Sequence, residues 1–265
     1  MRLSHLVFFS IISFGSSFIH KRSMNMLSTS NWLSVENIIE RLSDKNMTSS
    51  IEVPSNQITI FQYPETKLSD AIILINIAVF SILNLSSFSK YKHFFVKSNN
   101  AISRGEIYRL FTSMFLHQTL FHISSNMISL KVYGPMVEKW YGTKKFLFVY
   151  LASGIFSNLS TFLMNVSPLS IGASGAIYGL IGALNGFYRK NRAVLGNTAE
   201  EGLKEIRLDL IANATLGVFL KNIDHFGHLG GFFGGLLVSW VVAPKLYLPP
   251  PLSKWRWPWN LLQWK

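Results

Sequence analysis

Gly172-Ala173-Ser174-Gly175-Ala176-Ile177-Tyr178-Gly179 opens a run in which Gly172, Gly175, Gly179, Gly182 and Gly186 recur at steps of three and four. Those steps fall on one face of an α-helix, and a face of glycines lets a second helix backbone approach closely. A partner stands further along the chain, where Gly227, Gly231 and Gly235 repeat the four-residue step and His228 precedes Gly231 by three. Ser174 lies beside the first glycine face and His228 lies on the second. The two runs predict a close helix pair that brings a hydroxyl next to an imidazole.

The rest of the chain says what surrounds that pair. Hydrophobic residues make up 49% of the 265 residues and charged residues 14%, against about 25% charged in soluble domains. Mean hydropathy is +0.27. These values predict an all-α, polytopic membrane protein in contact with the lipid bilayer. The net charge is +12, but the basic residues fall in short loops between apolar runs rather than clustering on a soluble surface, so no nucleic-acid partner is read from them. Cysteine is absent, which excludes disulfides, thiolate catalysis and cysteine-based metal sites.

Six apolar segments follow one another at 68–88, 115–137, 146–164, 173–188, 206–220 and 227–243. A spanning helix needs about twenty residues. The fourth to sixth fall short, which implies a locally thinned bilayer or burial among neighbours. The fifth carries Arg207 and Asp209, expected to snorkel or pair at its start. Lys139, Lys144 and Lys145 follow the second segment, and Arg189, Lys190, Arg192, Lys204 and Arg207 follow the fourth. Both groups lie on the N-terminal side, which the positive-inside rule makes cytosolic or its organellar equivalent. The long loop after the first segment, with Lys90, Lys92, Lys97, Arg104 and Arg109, lies opposite.

The membrane domain is thus 68–243. Ahead of it, residues 1–35 contain Arg2, Lys21 and Arg22 and no acidic residue. A short apolar run of signal-peptide length precedes a Ser-rich basic stretch with the composition of a transit peptide. That order resembles the bipartite presequences of algal secondary plastids; an ordinary signal peptide or a mitochondrial presequence fits the same composition. Residues 36–67 read as a polar linker. Residues 244–265 form a tail with Pro249-Pro250-Pro251 and Trp255, Trp257, Trp259 and Trp264, expected to lie along the membrane–water interface.

Counting spans brings the polar residues together. His122 and Asn126 fall in the first half of the second segment, Ser174 opens the fourth and His228 opens the sixth, all near one membrane face. Strongly polar groups inside a membrane are costly and usually face the bundle interior. A hydrogen bond between Ser174 and His228 across the glycine contact is expected, and His228 is placed to activate the Ser174 hydroxyl as general base. Tyr178, one turn from Ser174 on the same side, is expected to pack against the imidazole. An acyl-transfer oxyanion needs donors. The unpaired N–H groups at the helix start of Ser174, the Asn126 amide and the His122 ring supply them. Glu138 lies at the opposite face, where it is expected to hydrogen-bond nearby backbone. Asp224 reads as a solvating loop residue, and His117 as a cap or packing residue of the first loop.

Two other readings stay open on the residues alone. His117, His122, His225 and His228 lie near one face, and imidazoles suit several transition metals, so a His-based metal transporter is conceivable, although no His-Glu-x-x-His is present. A client-binding protein without catalysis is the other.

The constellation and its order resemble the rhomboid family of intramembrane serine proteases. Gly172-Ala173-Ser174-Gly175 fits its Gly-x-Ser-Gly motif, and His228 with Gly231 and Gly235 fits His-x-x-Gly-x-x-x-Gly. His122-x-x-x-Asn126 and Gly134-x-x-x-Glu138-x-x-x-Gly142 fit two more, and Glu106-Ile107-Tyr108-Arg109 stands where the family usually has Trp-Arg. The run 146–244 looks most like the plastid rhomboids of plants and algae. The resemblance implies a six-helix bundle without a seventh span. It implies Ser174 as nucleophile, His228 as base, and His122, Asn126 and the Ser174 amide as oxyanion hole. It implies transmembrane segments of membrane proteins as substrates, and neither a third acid, a cofactor nor a metal. Tyr108 in place of Trp and the extra His225 depart from the pattern.

Overall fold

The computed structural model describes residues 67–84, 87–219, 223–247 and 263–264, all within a unit running from Ile58 to Lys265. The presequence at 1–35, nearly all of the 36–67 linker and most of the 244–265 tail lie outside the described residues.

The chain opens with α1 (Lys67–Asn84). A long loop follows, made of a 3₁₀ turn at Ser89–Phe94, strand β1 (Lys97–Ser98), α2 (Asn99–Ser103), α3 (Arg109–Thr112) and a second 3₁₀ turn at Ser113–Phe115. Next come α4 (Leu120–Tyr141), α5 (Thr143–Leu163), β2 (Leu169–Ser170), α6 (Ser174–Lys190), α7 (Arg192–Leu195), α8 (Asn197–Phe219) and α9 (His225–Val242). Strand β3 (Leu246–Tyr247) pairs antiparallel with β4 (Gln263–Trp264). The six long helices α1, α4, α5, α6, α8 and α9 correspond in order to the six apolar segments. By length and composition α1, α5 and α9 can each cross a membrane. The other three are shorter or more polar.

Two helix starts differ most from the sequence reading. The second helix starts at Leu120 rather than at 115, because Thr119 adopts extended backbone and its side chain accepts a hydrogen bond from His122 N, the geometry of an N-cap. The fifth starts at Asn197 rather than at 206 and has 23 residues, so it is not short. Its added turns are amphipathic: Ala199, Leu203 and Ile206 are buried, while Glu200, Glu201 and Lys204 are exposed. A search for continuous apolar runs misses such a start.

Helix α6 sits at the centre, with Leu180, Ala183, Leu184 and Phe187 all fully buried, as expected of a helix with neighbours on every side. α5, α9, α4 and α8 surround it. The α6–α9 contact is made backbone to backbone. A Cβ on Gly235 would lie 2.6 Å from the Gly179 Cα, and one on Gly231 would lie 3.0 Å from the Gly175 Cα. Only glycine fits at those positions.

Helix α1 is tied to α4 by Glu138. This fully buried carboxylate accepts hydrogen bonds from Leu68 N at 3.2 Å and Ser69 N at 3.0 Å, and another from Thr143 Oγ1 at 3.2 Å. It does bond backbone, but backbone of a distant helix. There it satisfies orphan donors of the α1 N-terminus and complements the helix dipole.

Candidate active site

Ser174 is positioned by the turn before it. Gly172 has φ +127° and presses against α4: a Cβ there would lie 2.7 Å from His122 Nε2 and 3.6 Å from Asn126 Nδ2. Both the backbone angle and the contact require glycine. The turn is clamped from the loop side. Gly172 N donates to Ser113 O at 3.0 Å and Asn99 N to Pro168 O at 3.0 Å. Lys97 pairs with Ser170 in the β1–β2 ladder. The Asn158 amide donates to Leu110 O at 2.8 Å and to Ser113 Oγ at 2.9 Å. Arg109 braces the loop itself, pairing with Glu106 at 2.6 Å and donating to His93 O and Val96 O at 2.7 and 2.8 Å. No side chain caps α6 at Ala173, so the first-turn N–H groups around Ser174 stay available to a ligand.

His228 is in the first turn of α9. Asp224 is the N-cap of that helix, accepting from Gly227 N at 2.9 Å. This corrects its reading as a solvating loop residue: a carboxylate at the start of a helix satisfies its free donors and its dipole. Ser157 Oγ donates to Gly227 O at 2.6 Å and so fixes the turn to α5. The His228 imidazole stacks on the Tyr178 ring, with centroids 4.2 Å apart and planes 11° from parallel. Ser174 and His228 line one small polar pocket together with Ser157, Asn158, Ser170 and Asp224. Among the described residues no hydrogen bond joins Ser174 to His228, contrary to expectation. Catalytic hydrogen bonds are often long before substrate binds.

The α4 pair completes the site. His122 and Asn126 are one turn apart, and Asn126 is 6% exposed. Its Nδ2 has no hydrogen-bond partner. A buried donor left unpaired costs about 1–3 kcal/mol, and this one lies beside the Gly172 turn, 3.6 Å from where a Cβ on that glycine would stand. His117 is buried and packs edge-on against the His122 ring, 5.1 Å between centroids. His225 is exposed. Among the described residues no three His, Asp or Glu side chains converge to hold a metal ion, so the four histidines do not form the ligand set considered from sequence.

Three residues of the site went unnoticed in the sequence. Ser157 and Asn158 were detectable as a polar pair inside an apolar span. Lys97 had no local signal. It is fully buried and donates to Ser167 O at 2.8 Å. Burial pushes its ammonium down to about 8, with the Asp224 carboxylate pulling the other way.

Residues 104–245, from the loop before α4 through α9 and covering more than half of the chain, match the Rhomboid domain family. Rhomboid protease GluP of Bacillus subtilis (strain 168) is 33% identical over 192 residues, covering 71% of this chain and 37% of that protein. RHOMBOID-like protein 1 of Arabidopsis thaliana is 36% identical over 140 residues, covering 53% of this chain and 36% of that protein. Rhomboid-like protease 3 of Toxoplasma gondii is 33% identical over 186 residues, covering 61% and 70%. The chain spans little more than a third of the length of the first two. The relatives come from bacteria as well as plants, so the likeness is not confined to plastid proteins. The matched span contains the whole glycine crossing, the pocket and the α4 pair: a polytopic helical membrane protein built this way, and matched over these residues, belongs to the rhomboid family.

Proposed function

We propose that the protein is a serine endopeptidase that cuts transmembrane segments of membrane-protein substrates within the bilayer, with Ser174 as nucleophile and His228 as general base. One observation carries the reading. A hydroxyl at an uncapped helix start and an imidazole held flat on Tyr178 share a polar pocket, and the buried Asn126 amide lies unpartnered beside the same turn.

The reaction then runs in two halves. Ser174 Oγ adds to the scissile carbonyl carbon as its proton passes to the imidazole. The carbonyl oxygen takes the negative charge and accepts from Asn126, His122 and the Ser174 N–H. Collapse breaks the C–N bond, the imidazolium protonates the leaving amine, and an ester on Ser174 remains. Water adds to the ester carbonyl and gives a proton to His228. The second collapse releases the carboxyl product and returns that proton to Ser174. Polar Ser170, Asn126 and His122 line the route for this water. The chemistry calls for no cofactor. A helical substrate hides its amides in its own i to i−4 ladder. It therefore unwinds before attack.

The test uses the full chain in detergent with a reporter carrying a transmembrane segment. Cleavage is expected from the wild type and lost in Ser174→Ala and His228→Ala, and a fluorophosphonate is expected to label Ser174. Equal cleavage by wild type and Ser174→Ala overturns the dyad. A folded protein that captures the reporter without cleavage or labelling is instead a client-binding relative. For location, the basic, acid-free composition of residues 1–35 supports a plastid membrane. The first forty residues fused to a fluorescent protein should report there, and delivery to mitochondria or the secretory pathway overturns that placement.

A further inference from the structure

The turn that leads toward Ser174 is bent in a way that needs outside support. Asn165 has φ +51° and Ser167 has φ +48°. This is the left-handed region, which residues other than glycine seldom adopt and which persists where surrounding contacts hold it. The contacts come from the loop after α1. The Asn99 amide donates to Asn165 Oδ1 at 3.2 Å, Asn99 N to Pro168 O at 3.0 Å, and Lys97 Nζ to Ser167 O at 2.8 Å. Lys97 and Ser98 then pair with Ser170 and Leu169, just ahead of the Gly172 turn.

Lys97 is the unusual member of this set. Its side chain is fully buried, and an ammonium taken out of water is costly unless acceptors and an opposite charge meet it. Ser167 O accepts from it. The opposite charge is the Asp224 carboxylate, whose field works against the effect of burial. Among the described residues no ion pair joins the two. The attraction acts through space, where a low dielectric carries it further than water does. Asp224 is the N-cap of α9 through Gly227 N, and it lines the pocket that Ser174 and His228 share. One ammonium thus bears on both sides of the dyad. It acts by a hydrogen bond on the turn before Ser174, and by charge on the cap before His228.

We infer that Lys97 is a positioning residue for the dyad: it holds the Ser167 turn and keeps the Asp224 carboxylate on the α9 cap, so that the Ser174 hydroxyl and the His228 imidazole approach each other from fixed starts. The inference rests on the peptidase reading of the pocket. Without the ammonium the turn loses one of its holds, and the carboxylate is free to leave Gly227 N for the His228 ring in the same pocket. An imidazole drawn to Asp224 is drawn away from Ser174. Lys97 acts only through these two neighbours and is not a catalytic residue.

The test uses the full-length protein in detergent and reads the rate at which a fluorophosphonate labels Ser174. Lys97→Met is expected to label about tenfold more slowly, a coupling of the size found within one charged network. Adding Asp224→Asn keeps a capping side chain and removes the charge. It is expected to recover about threefold of that loss, because the unopposed carboxylate is then gone. Lys97→Arg keeps the charge and is expected to label faster than Lys97→Met. In the wild type, labelling is expected to fall as pH rises past about 8, where the ammonium is lost, and Lys97→Met is expected to lack that limb. Asp224→Asn alone is expected to move the limb to lower pH, since the charge that favours the ammonium is removed. The absence of cysteine also allows a spin-label pair at Leu169→Cys and Leu229→Cys, which are 68% and 54% exposed. Its distance distribution is expected to broaden with Lys97→Met. A double variant as slow as the two single losses multiplied would make Lys97 a loop strut and overturn the inference, as would unchanged distances. If Lys97→Met does not fold, the limb decides: one that is absent from the wild type, or unmoved by Asp224→Asn, overturns it. Broadened distances in a protein that neither cleaves nor labels would uphold the positioning role while overturning the peptidase reading.

Discussion

Where α6 meets α9 the two backbones touch through glycines on both sides, and no side chain could be added without displacing the main chain. Where α8 meets α4, the Tyr133 hydroxyl donates to the Asp209 carboxylate. The first contact fixes the Ser174 helix against the His228 helix, and the second ties α8 to α4 through side chains. Close-packed backbone tolerates no adjustment, which suits groups that must stay in register. A contact made through the ends of two side chains can adjust by rotation.

The largest effects should come from the tight side. Gly231→Val or Gly235→Val places a side chain into opposing backbone, and a loss above about 4 kcal/mol is expected. This would read out as aggregated or unfolded protein in size-exclusion chromatography. If these variants stay folded and active, the crossing is not the rigid element described. Next is Asn126→Leu, where two signs are expected. Cleavage falls by about 10²- to 10³-fold, the cost of one oxyanion donor. Thermal stability does not fall, because a buried unpaired donor is removed. Loss of both together would make Asn126 a structural residue.

Lys97 tests the loop that clamps the Ser174 turn. Its ammonium titrates near 8 in the folded chain, below its ordinary 10.5. Between those values the unfolded chain binds more protons, so stability rises with pH across the window, by at most about 1.4 kcal/mol per pH unit. Thermal scans from pH 7 to 10 should show that rise in the wild type and a flatter profile in Lys97→Met. The smallest effect concerns the stack on His228. Tyr178→Ala forfeits roughly 0.5–1.5 kcal/mol of ring contact and should slow fluorophosphonate labelling by up to about tenfold. Tyr178→Phe keeps the ring and should label within about twofold of wild type.

The tight side was legible in the sequence because its signal is local. Glycines at steps of three and four lie within single helices, and the polar residues at the starts of those helices share a face once spans are counted. The loose side was not. Tyr133 and Asp209 are 76 residues apart, and nothing near either one names the other. Asp224 was misread for a related reason, since a cap is recognised from where the helix begins and His225 gave no apolar start. The amphipathic opening of α8 was lost because its buried stripe of Ala199, Gly202, Leu203 and Ile206 is interrupted by Glu200, Glu201 and Lys204. The hydrogen bond expected between Ser174 and His228 is missing although both face one pocket: helix packing sets which residues meet, and side-chain rotation sets whether they bond.

Glu138 has a consequence for how the chain is made. It accepts from the start of α1 at a position 70 residues later, so while α1 is being inserted during synthesis this acceptor does not yet exist. α1 must enter the membrane on its own apolar length, which it has, and wait without the Glu138 carboxylate until α4 follows. Docking of the first helix then becomes a late event, and a ribosome stalled before Glu138 would leave α1 inserted but unmoored, open to capture by membrane quality control.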